Sequence, residues 1–542
     1  MPGTEPDVPE PGGAHRAGPT GPSAPGRRGR PPAGRRTPPA PNKWWTLTAV
    51  CLGTFMLLLD ITIVNVALPD IQRSLHASFS DLQWVVDAYS LTLAALLLTA
   101  GSLADMYGRR RLYVIGLTVF SLASLLCGLA HDSLMLQLSR GLQGIGGAIM
   151  FSVSLALLAD AFRGKDRGIA FGVWGTITGL AVAVGPLLGG VLTTGLSWEW
   201  IFYVNLPVGA LAVAITLRKV ADSQLPAARR PDWPGFVLFT LALSSLVYAL
   251  IQSSHETFSD PTVIGCLAGA VVLMAAFVAV ELRSRQAMFD LSLFRKPTFT
   301  GGLVAAFALS ASLLSLLLYL VLYLQDVLGF SALGAGVRLL LISAGLLVMS
   351  AVSGRLSSRM PVRFLIGPGL LLVGGGLLWM RGLSATSEWT HLIPGLIMSG
   401  AGLGLVNPPL ASTAVGVVQP EHAGMASGIN STFRQIGIAT GIALLGTLFS
   451  SKVKAYVTDH IGAVPQVSGL GPRISTAVES GTVTQTLDSL PAEVRAPLRR
   501  LTAAAFTSGL NELFLVGAII ALVASVVSFA TIRTKDFAQP PP

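Results

Sequence analysis

Two charged side chains stand inside long apolar segments, where a charge is costly. Asp60 lies in LLDITIVNVALP (58–69), and Arg140 lies in LSRGLQGIGGA (138–148). An isolated charge near the centre of a bilayer costs at least about 2.5–3.5 kcal/mol, so an ionisable residue at that depth is expected to serve a function. Burial and a neighbouring cation shift the proton affinity of a carboxyl group in opposite directions. Asp60 could therefore take up a proton on one side of a membrane and release it on the other.

The predicted depths of these two charges are similar, so the side chains could pair. Counting from the outer end of each segment places Asp60 about 13 Å deep and Arg140 about 9 Å deep. The pair could couple proton transfer to movement, or it could be a fixed ion pair that only orients helices. Asp87, in WVVDAYSL (84–91), is a third acid. It could hold a second proton or attract cationic substrates, or it could simply lie near the outer headgroups. Asp60 and Asp87 together favour cationic or polar-headed compounds.

The composition indicates that these charges belong to membrane helices. Of the 542 residues, 52% are hydrophobic and 12% are charged, and the mean hydropathy is +0.65. Soluble domains carry about 25% charged residues, so a soluble multidomain enzyme is excluded. The apolar residues form segments of about 18–24, long enough to cross a bilayer. We predict an all-α integral membrane protein with fourteen transmembrane helices.

The predicted spans also indicate an orientation. They lie at 44–68, 82–103, 111–130, 134–162, 169–193, 201–218, 233–252, 262–282, 298–324, 335–354, 363–381, 391–417, 425–449 and 506–532. Lys and Arg are concentrated in the short loops on the side of the N-terminus, so both termini are predicted to be cytoplasmic. The same bias explains the net charge of +10 without nucleic acid. We expect a multi-pass protein of a bacterial cytoplasmic membrane.

An internal repeat indicates how the spans are grouped. GSLADMYGRRR (101–111) follows span 2, and the similar GRLSSRMPVR (354–363) follows span 10. Transporters often build two halves from such repeats around a central site. The predicted domains are a disordered cytoplasmic arm at 1–43, a six-helix bundle at 44–218, a two-helix insert with linkers at 219–297, a second six-helix bundle at 298–532 that includes a long outer loop at 450–505, and a cytoplasmic tail at 533–542. In the outer loop, Ser489 is a plausible N-cap for a separate amphipathic surface helix.

The loop after span 2 could act as a conformational switch. Its candidate residues are Gly101, Asp105, Gly108, Arg109 and Arg110. Gly108 permits a tight turn, and Asp105 can accept hydrogen bonds from Arg109 or from the other bundle. A contact made in only one state would bias the conformational equilibrium. Alternatively, the positive charges only anchor the topology.

Span 5 contains GLAVAVGPLLGG (179–190), a glycine-rich face with a proline. Small residues let helices approach closely, and proline permits a bend. The segment could be a tight hinge that seals the bundle against proton leak, or it could be ordinary helix packing. The residues concerned are Gly179, Gly185, Pro186, Gly189 and Gly190.

Other polar residues in the spans have simpler explanations. Interhelical hydrogen bonds are the first interpretation, and a substrate cavity the second, for Asn65, Gln143, Gln325 and Asn407. Arg434 is predicted near the end of span 13, with its head group reaching the interface. We find no metal-ligand spacing, and Gly144-Ile145-Gly146 lies inside an apolar span with no preceding strand, so no nucleotide loop is present. We expect neither a metal nor a cofactor.

These motifs resemble those of a known family. GSLADMYGRRR resembles the loop signature of the major facilitator superfamily. Together with the motifs of spans 1, 4 and 5, SWEWIFYVNLPVG (197–209), YLQDVLGFSALGAG (323–336) and MASGINSTFRQIG (425–437) resemble the 14-span drug:proton antiporter family over about residues 44–532. The resemblance implies alternating-access export of amphipathic or lipophilic small molecules, including drugs and antibiotics, driven by the proton gradient. It also implies a coupling role for Arg140 and an antiport role for the span 5 motif.

Two other functions remain open from the sequence. A proton symporter importing a small nutrient is disfavoured by the span 5 motif and by the lack of further charged pairs at mid-depth. A membrane receptor or enzyme would need converging His, Cys or acidic residues, or a sizeable soluble domain, and the sequence shows neither. We therefore expect a transporter rather than an enzyme. Its expected partners are a small-molecule substrate, protons and the lipid bilayer, with no nucleic acid and no obligate protein partner.

Overall fold

All regular structure in the described part of the chain is helical. The computed structural model describes residues 43–221, 232–253, 259–284, 289–357, 359–463, 469–479 and 483–537. Thirteen helical segments there are long and apolar enough to cross a membrane, and a bent pair brings the number to 14. The predicted all-α membrane fold is confirmed. The predicted N-terminal arm lies outside the described residues except for Lys43.

The first bundle comprises the helices up to residue 219. They are α1 (Lys43–Leu75), α2 (Phe79–Tyr107), α3 (Arg109–Gly128), α4 (Ser133–Ala161), α5 (Lys165–Gly195), α6 (Trp200–Tyr203) and α7 (Asn205–Lys219). A capping box begins α2, where Ser78 Oγ accepts from the Asp81 amide at 3.1 Å and the Asp81 carboxylate accepts from the Ser78 amide at 2.9 Å. Gly108, at φ +103°, makes the turn into α3 that other residues rarely adopt. The two parts of α5 meet at 43° around Pro186, which cannot continue the hydrogen-bond ladder.

The remaining helices form an inserted pair and a second bundle. The insert consists of α8 (Trp233–Gln252) and α9 (Pro261–Arg283), and α8 packs against α2. In the second bundle, one span is built from α10 and α11 with a π-helical turn after each, at Ser310–Leu314 and Tyr323–Val327. The helices of this bundle are α10 (Pro297–Leu309), α11 (Ser315–Leu322), α12 (Ala332–Leu356), α13 (Arg363–Met380), α14 (Ile393–Gly416), α15 (Ala423–His460), α16 (Gly471–Glu479), α17 (Val483–Asp488) and α18 (Ala492–Thr531).

The long outer loop differs from the prediction. The two flanking helices extend into it, because α15 continues to His460 and α18 already begins at Ala492. The surface helix predicted near Ser489 is therefore the first part of the last membrane helix. Ser489 Oγ donates to the Thr486 carbonyl at 2.7 Å instead of capping a helix. Buried Leu498 joins the first turns of α18 to the apolar core, which explains why the helix runs on without a break.

Both ends of the described chain lie on one side of the helices, which we name the termini face. At the start of α1, Lys43 pairs with Asp166 at the start of α5, with an N–O distance of 2.5 Å. After α18, the amide of Arg533 donates to Thr298 Oγ1 at the start of α10, at 2.7 Å. Phe537 lies beside Gly416, the last residue of α14.

The two bundles are in close contact in the half of the molecule near the termini face. Helices α5 and α12 touch at glycines: a Cβ atom added to Gly354 would lie 2.9 Å from the Gly172 Cα. Helices α2 and α15 touch in the same way, and a Cβ on Gly428 would lie 2.7 Å from the Leu97 carbonyl oxygen. Without side chains at these positions, the backbones approach closely enough to close this half.

Candidate transport site

The two charges picked out in the sequence meet in the structure. Arg140 Nη1 donates to Asp60 Oδ2 at 2.6 Å. Asp60 is 0% exposed and Arg140 is 1% exposed. Asp60 lies near the middle of α1, about 25 Å along the helix from Lys43. Each buried charge therefore has the other as its counter-ion.

Neutral side chains on α4 and α7 also contact Asp60. Gln143 Nε2 donates to Asp60 Oδ1 at 2.8 Å, and Asn205 Nδ2 donates to the same oxygen at 3.2 Å. Gln143 also accepts from Arg140 at 2.6 Å and donates to Ser124 Oγ at 2.7 Å. The hydrogen bonds thus connect α1, α3, α4 and α7. Asp60 thus accepts three hydrogen bonds, from Arg140, Gln143 and Asn205.

The sequence analysis missed two members of this network, Ser124 and Asn205. A short polar residue in an apolar span has many ordinary uses, so neither side chain carries a signal alone. The one available signal for Asn205 was its place in SWEWIFYVNLPVG. Gln143, predicted for a substrate cavity or an interhelical bond, is buried in the network.

Helix α2 contacts the other side of Arg140. Its Nε donates to the Val85 carbonyl at 3.1 Å, and its guanidinium carbon lies 4.2 Å from the centre of the Tyr89 ring. Such cation–π contacts add about 0.5–2 kcal/mol. Movement of Arg140 is therefore coupled to the position of α2.

Asp87 lies outside this network. It is half-buried on α2, and no described residue makes a hydrogen bond or ion pair with its carboxylate. Asp87 is two residues before Tyr89, so it points about 200° away around the helix. A second proton or a contact with cationic substrates at Asp87 remains a prediction.

The switch-loop residues join the two bundles at the termini face. Asp105 accepts from Arg109 Nη2 at 2.8 Å and from the Gly424 and Met425 amides at 2.9 and 2.8 Å. Those amides belong to the first turn of α15, where backbone N–H groups lack helical partners and favour a negative charge. Arg109 also donates to the Pro420 carbonyl. Asp105 thus holds α2 against the start of α15.

The outer members of the loop motif have different neighbours. A side chain on Gly101 would run into the Gly424 carbonyl, so this glycine permits the close approach. Arg110 donates to the Leu217 carbonyl of α7, within the first bundle. The motif is therefore divided between contacts across the bundles and contacts inside one bundle.

The span 5 glycines also contact both bundles. A Cβ on Gly185 would lie 2.7 Å from the Thr62 Cβ, and one on Gly189 would lie 3.1 Å from the Ile63 carbonyl, so both fit α5 against α1. Gly179 instead faces Leu346 of α12 in the second bundle. At Gly190 an added Cβ would meet no described atom within 4 Å. The side chain of Pro186 lies outside the described part.

Of the four polar residues considered for a cavity, the three with described side chains do not form one cluster. Gln143 belongs to the Asp60 network, whereas Asn407 is buried on α14 and accepts from Arg434 Nη1 at 2.9 Å. Gln325 lies half-buried in the π-helical turn at Tyr323–Val327. The side chain of Asn65 is outside the described part.

The position predicted for Arg434 is wrong. Helix α15 begins at Ala423, which puts Arg434 about 16 Å along a helix that continues to His460. Its side chain is 8% exposed and reaches Asn407 rather than an interface. A residue three turns inside the helix is too deep to snorkel, so this arginine is a second buried charge.

Comparison with known proteins identifies the family. The family model of the Major Facilitator Superfamily matches residues 50–442. The chain belongs to this superfamily. It is 40% identical over 422 residues to the multidrug resistance protein Stp of Mycobacterium tuberculosis, covering 78% of each chain. It is 32% identical over 522 residues to the tetracenomycin C resistance and export protein of Streptomyces glaucescens, covering 96% of this chain and 95% of that one.

A solved structure agrees with this assignment at the level of the fold. The proton:xylose symporter XylE superposes with a TM-score of 0.58, covering 91% of this chain and 96% of that one, at 10% identity. The number of its membrane spans and its similarity to drug-resistance proteins place this protein in the 14-span drug antiporter branch of the superfamily. It is a membrane-spanning protein of a transporter family rather than of an enzyme family.

Proposed function

We propose that this protein exports amphipathic or lipophilic small molecules, drugs and antibiotics among them, in exchange for protons. The observation that carries the proposal is the buried Asp60–Arg140 pair, with its 2.6 Å contact in the middle of the membrane helices. The names of two relatives, a multidrug resistance protein and a resistance and export protein, support export. The location would be a bacterial cytoplasmic membrane, with the termini face cytoplasmic, as the loop charges indicate.

Protonation of Asp60 would be the coupling event. The ionised carboxylate accepts from Arg140, Gln143 and Asn205. A proton on Asp60 would leave Arg140 as a buried cation without a counter-ion, and breaking a buried pair in this way costs about 3–5 kcal/mol. A free-energy difference of that size shifts a two-state equilibrium by a factor of about 150 to 5,000. Proton binding would thereby favour a conformation in which Arg140 finds another partner or water.

The bundle contacts supply the other half of the cycle. With the termini face cytoplasmic, the contacts of Asp105 with Gly424 and Met425 close the protein to the cytoplasm. Substrate would leave to the outside in this state, and Asp60 would bind an external proton. The bundles would then separate at the termini face, release the proton and take up the next substrate. No cofactor is needed, since one charge moving through 100 mV gives about 2.3 kcal/mol.

Drug tolerance tests the proposal directly. An efflux-deficient bacterium would express the wild type, Asp60→Asn, or the control Asp70→Asn, which changes a more exposed acid on the same helix. Membrane protein levels would be matched, and the panel would include cationic, neutral and anionic antibiotics and dyes. We expect the wild type and Asp70→Asn to protect and Asp60→Asn to fail. Equal protection by all three would show that Asp60 is structural, and greater drug accumulation with the wild type would indicate import.

A further inference from the structure

Arg434 is a buried cation that the proposed proton site does not use. It lies on α15 of the second bundle and is 8% exposed. Among the described residues its guanidinium makes one hydrogen bond, from Nη1 to Asn407 Oδ1 at 2.9 Å, and no ion pair. A guanidinium has several N–H donors and no acceptor. Most of its hydrogen-bonding capacity is therefore unused within the described part of the protein.

The contrast with Arg140 shows that this arrangement is unusual. Arg140 has Asp60 as a counter-ion and neutral groups around both, whereas Arg434 has only the oxygen of a neutral amide. Removing a charge from water without a counter-charge costs several kcal/mol. In membrane proteins such residues face a cavity or a substrate path far more often than lipid. A partner that arrives from outside the chain would explain the position of Arg434.

A second polar side chain nearby also lacks a partner. Asn430 lies one turn before Arg434 on the same helix and is 1% exposed. Neither its Nδ2 nor its Oδ1 has a hydrogen-bond partner in the described residues. An unsatisfied buried polar group costs about 1–3 kcal/mol. Arg434 and Asn430, four residues apart and therefore neighbours on one helix, thus both have hydrogen-bonding groups without a partner in the described residues.

The side of α15 that carries Arg434 is turned towards the first bundle. Ser427 lies seven residues before Arg434 and therefore on almost the same side of the helix. Its Oγ donates to the Ser152 carbonyl of α4 at 2.5 Å, a contact between the bundles. Arg434 lies about two turns deeper, about 16 Å along α15 from its first residue at the termini face, which is about half the thickness of a bilayer core. Transporters of this architecture bind substrate at that depth.

We infer that Arg434, Asn407 and Asn430 form the polar end of the substrate site and that the substrate is an amphipathic organic anion. The inference rests on the proposed export function. A planar guanidinium matches a carboxylate or sulfonate group and binds it through paired, charge-assisted hydrogen bonds. The amide of Asn430 can donate one more. The cationic preference suggested by Asp60 is replaced, because the charge of Asp60 is already balanced by Arg140.

Binding of two related dyes to the full-length protein in lipid nanodiscs tests the inference. Sulforhodamine B carries sulfonates and a net negative charge, and rhodamine 6G has the same ring system with a positive charge. Fluorescence anisotropy at one fixed pH would give both affinities. We expect the wild type to bind sulforhodamine B more tightly. Charge-assisted hydrogen bonds are worth about 1.5–3 kcal/mol, so Arg434→Gln should weaken that binding about 10- to 100-fold and leave rhodamine 6G unaffected.

Two further variants separate charge from folding. Arg434→Lys keeps the charge but loses the paired hydrogen bonds of the guanidinium, so its affinity for sulforhodamine B should lie between those of the wild type and Arg434→Gln. Asn430→Ala removes one neutral donor, so it should weaken binding about fivefold, which corresponds to the mean contribution of a single hydrogen bond. Only preparations that elute as single symmetric peaks in size-exclusion chromatography would be compared. If Arg434→Gln does not fold, Arg434→Lys and Asn430→Ala carry the test.

The outcomes distinguish this inference from the proposed function. It is overturned if the wild type binds rhodamine 6G more tightly, if it binds no sulforhodamine B, or if none of the variants changes sulforhodamine B binding. Proton-coupled export of rhodamine 6G that is lost in Asp60→Asn but kept in Arg434→Gln would sustain the export function and overturn the anion site. Arg434-dependent binding of sulforhodamine B without proton exchange would sustain the site and overturn the coupling.

Discussion

Neutralising the buried pair one residue at a time and then together gives the sharpest test of the proton site. Asp60→Asn leaves Arg140 at 1% exposure with no counter-ion. Arg140→Gln leaves the Asp60 carboxylate with only its neutral donors, Gln143 and Asn205. The double variant Asp60→Asn with Arg140→Gln leaves no charge at all. The three variants should therefore differ strongly in stability although they change the same two side chains.

The expected sizes follow from the burial of the pair. Removing one partner of a buried pair costs about 3–5 kcal/mol, whereas removing both is close to neutral. The double variant should thus be more stable than Asp60→Asn by about 3–5 kcal/mol. Arg140 in Asp60→Asn has no acceptor group and stays charged without a counter-ion, so this variant should be the least stable of the three.

Thermal unfolding in detergent at one fixed pH, followed by intrinsic fluorescence, would measure these differences. The control is Asp70→Asn, which breaks an ion pair on α1 whose Arg73 partner is 77% exposed, and exposed pairs are worth about 0–1 kcal/mol. We expect the midpoint to be lowest for Asp60→Asn, higher for the double variant and nearly unchanged for the control. A double variant as unstable as the sum of the two single variants would show that the charges do not stabilise each other and would refute the reasoning.

Two further predictions concern close contacts of glycines. A Cβ at Gly424 would lie 2.6 Å from Asp105 Oδ1, so Gly424→Ala should weaken the contact between the bundles at the termini face. Cysteines introduced at this face should then react faster with a maleimide, and an unchanged labelling rate would contradict the prediction. Gly185→Ala would push a methyl group into Thr62 and should reduce the yield of monodisperse protein. The control is Gly190→Ala, because no described atom lies within 4 Å of the added methyl group, and its yield should match that of the wild type. Equal yields of Gly185→Ala and Gly190→Ala would argue against a tight α1–α5 contact.

Much of the fold and part of the site could be predicted from the sequence, for identifiable reasons. Apolar length alone locates membrane helices, because a bilayer requires it. Asp60 and Arg140 stood out because a charge in an apolar segment is rare, and counting along two helices placed them at similar depths. Asn205 and Ser124 could not be found in this way, since their contact with Asp60 depends on how four helices pack around one point.

The errors have physical causes as well. The boundary of the last span was set too late because the charged residues around Arg495 and Arg499 look like a loop, although a helix can carry them beyond the membrane. Arg434 was assigned to an interface because it was predicted to lie near the end of span 13. In the structure it lies well inside a helix that runs from Ala423 to His460, and its side chain is buried against Asn407.

The two buried arginines suggest how a proton in one bundle could act on a substrate at the other. Helix α2 touches Arg140 through Val85 and also carries Asp105, which binds the first turn of α15. Helix α15 in turn carries Arg434, so α2 and α15 connect both arginines through their contacts near the termini face. Linkage requires that a proton at Asp60 and an anion at Arg434 change each other's affinity by the same factor. Antiport follows when that factor is unfavourable, because each ligand then helps to expel the other.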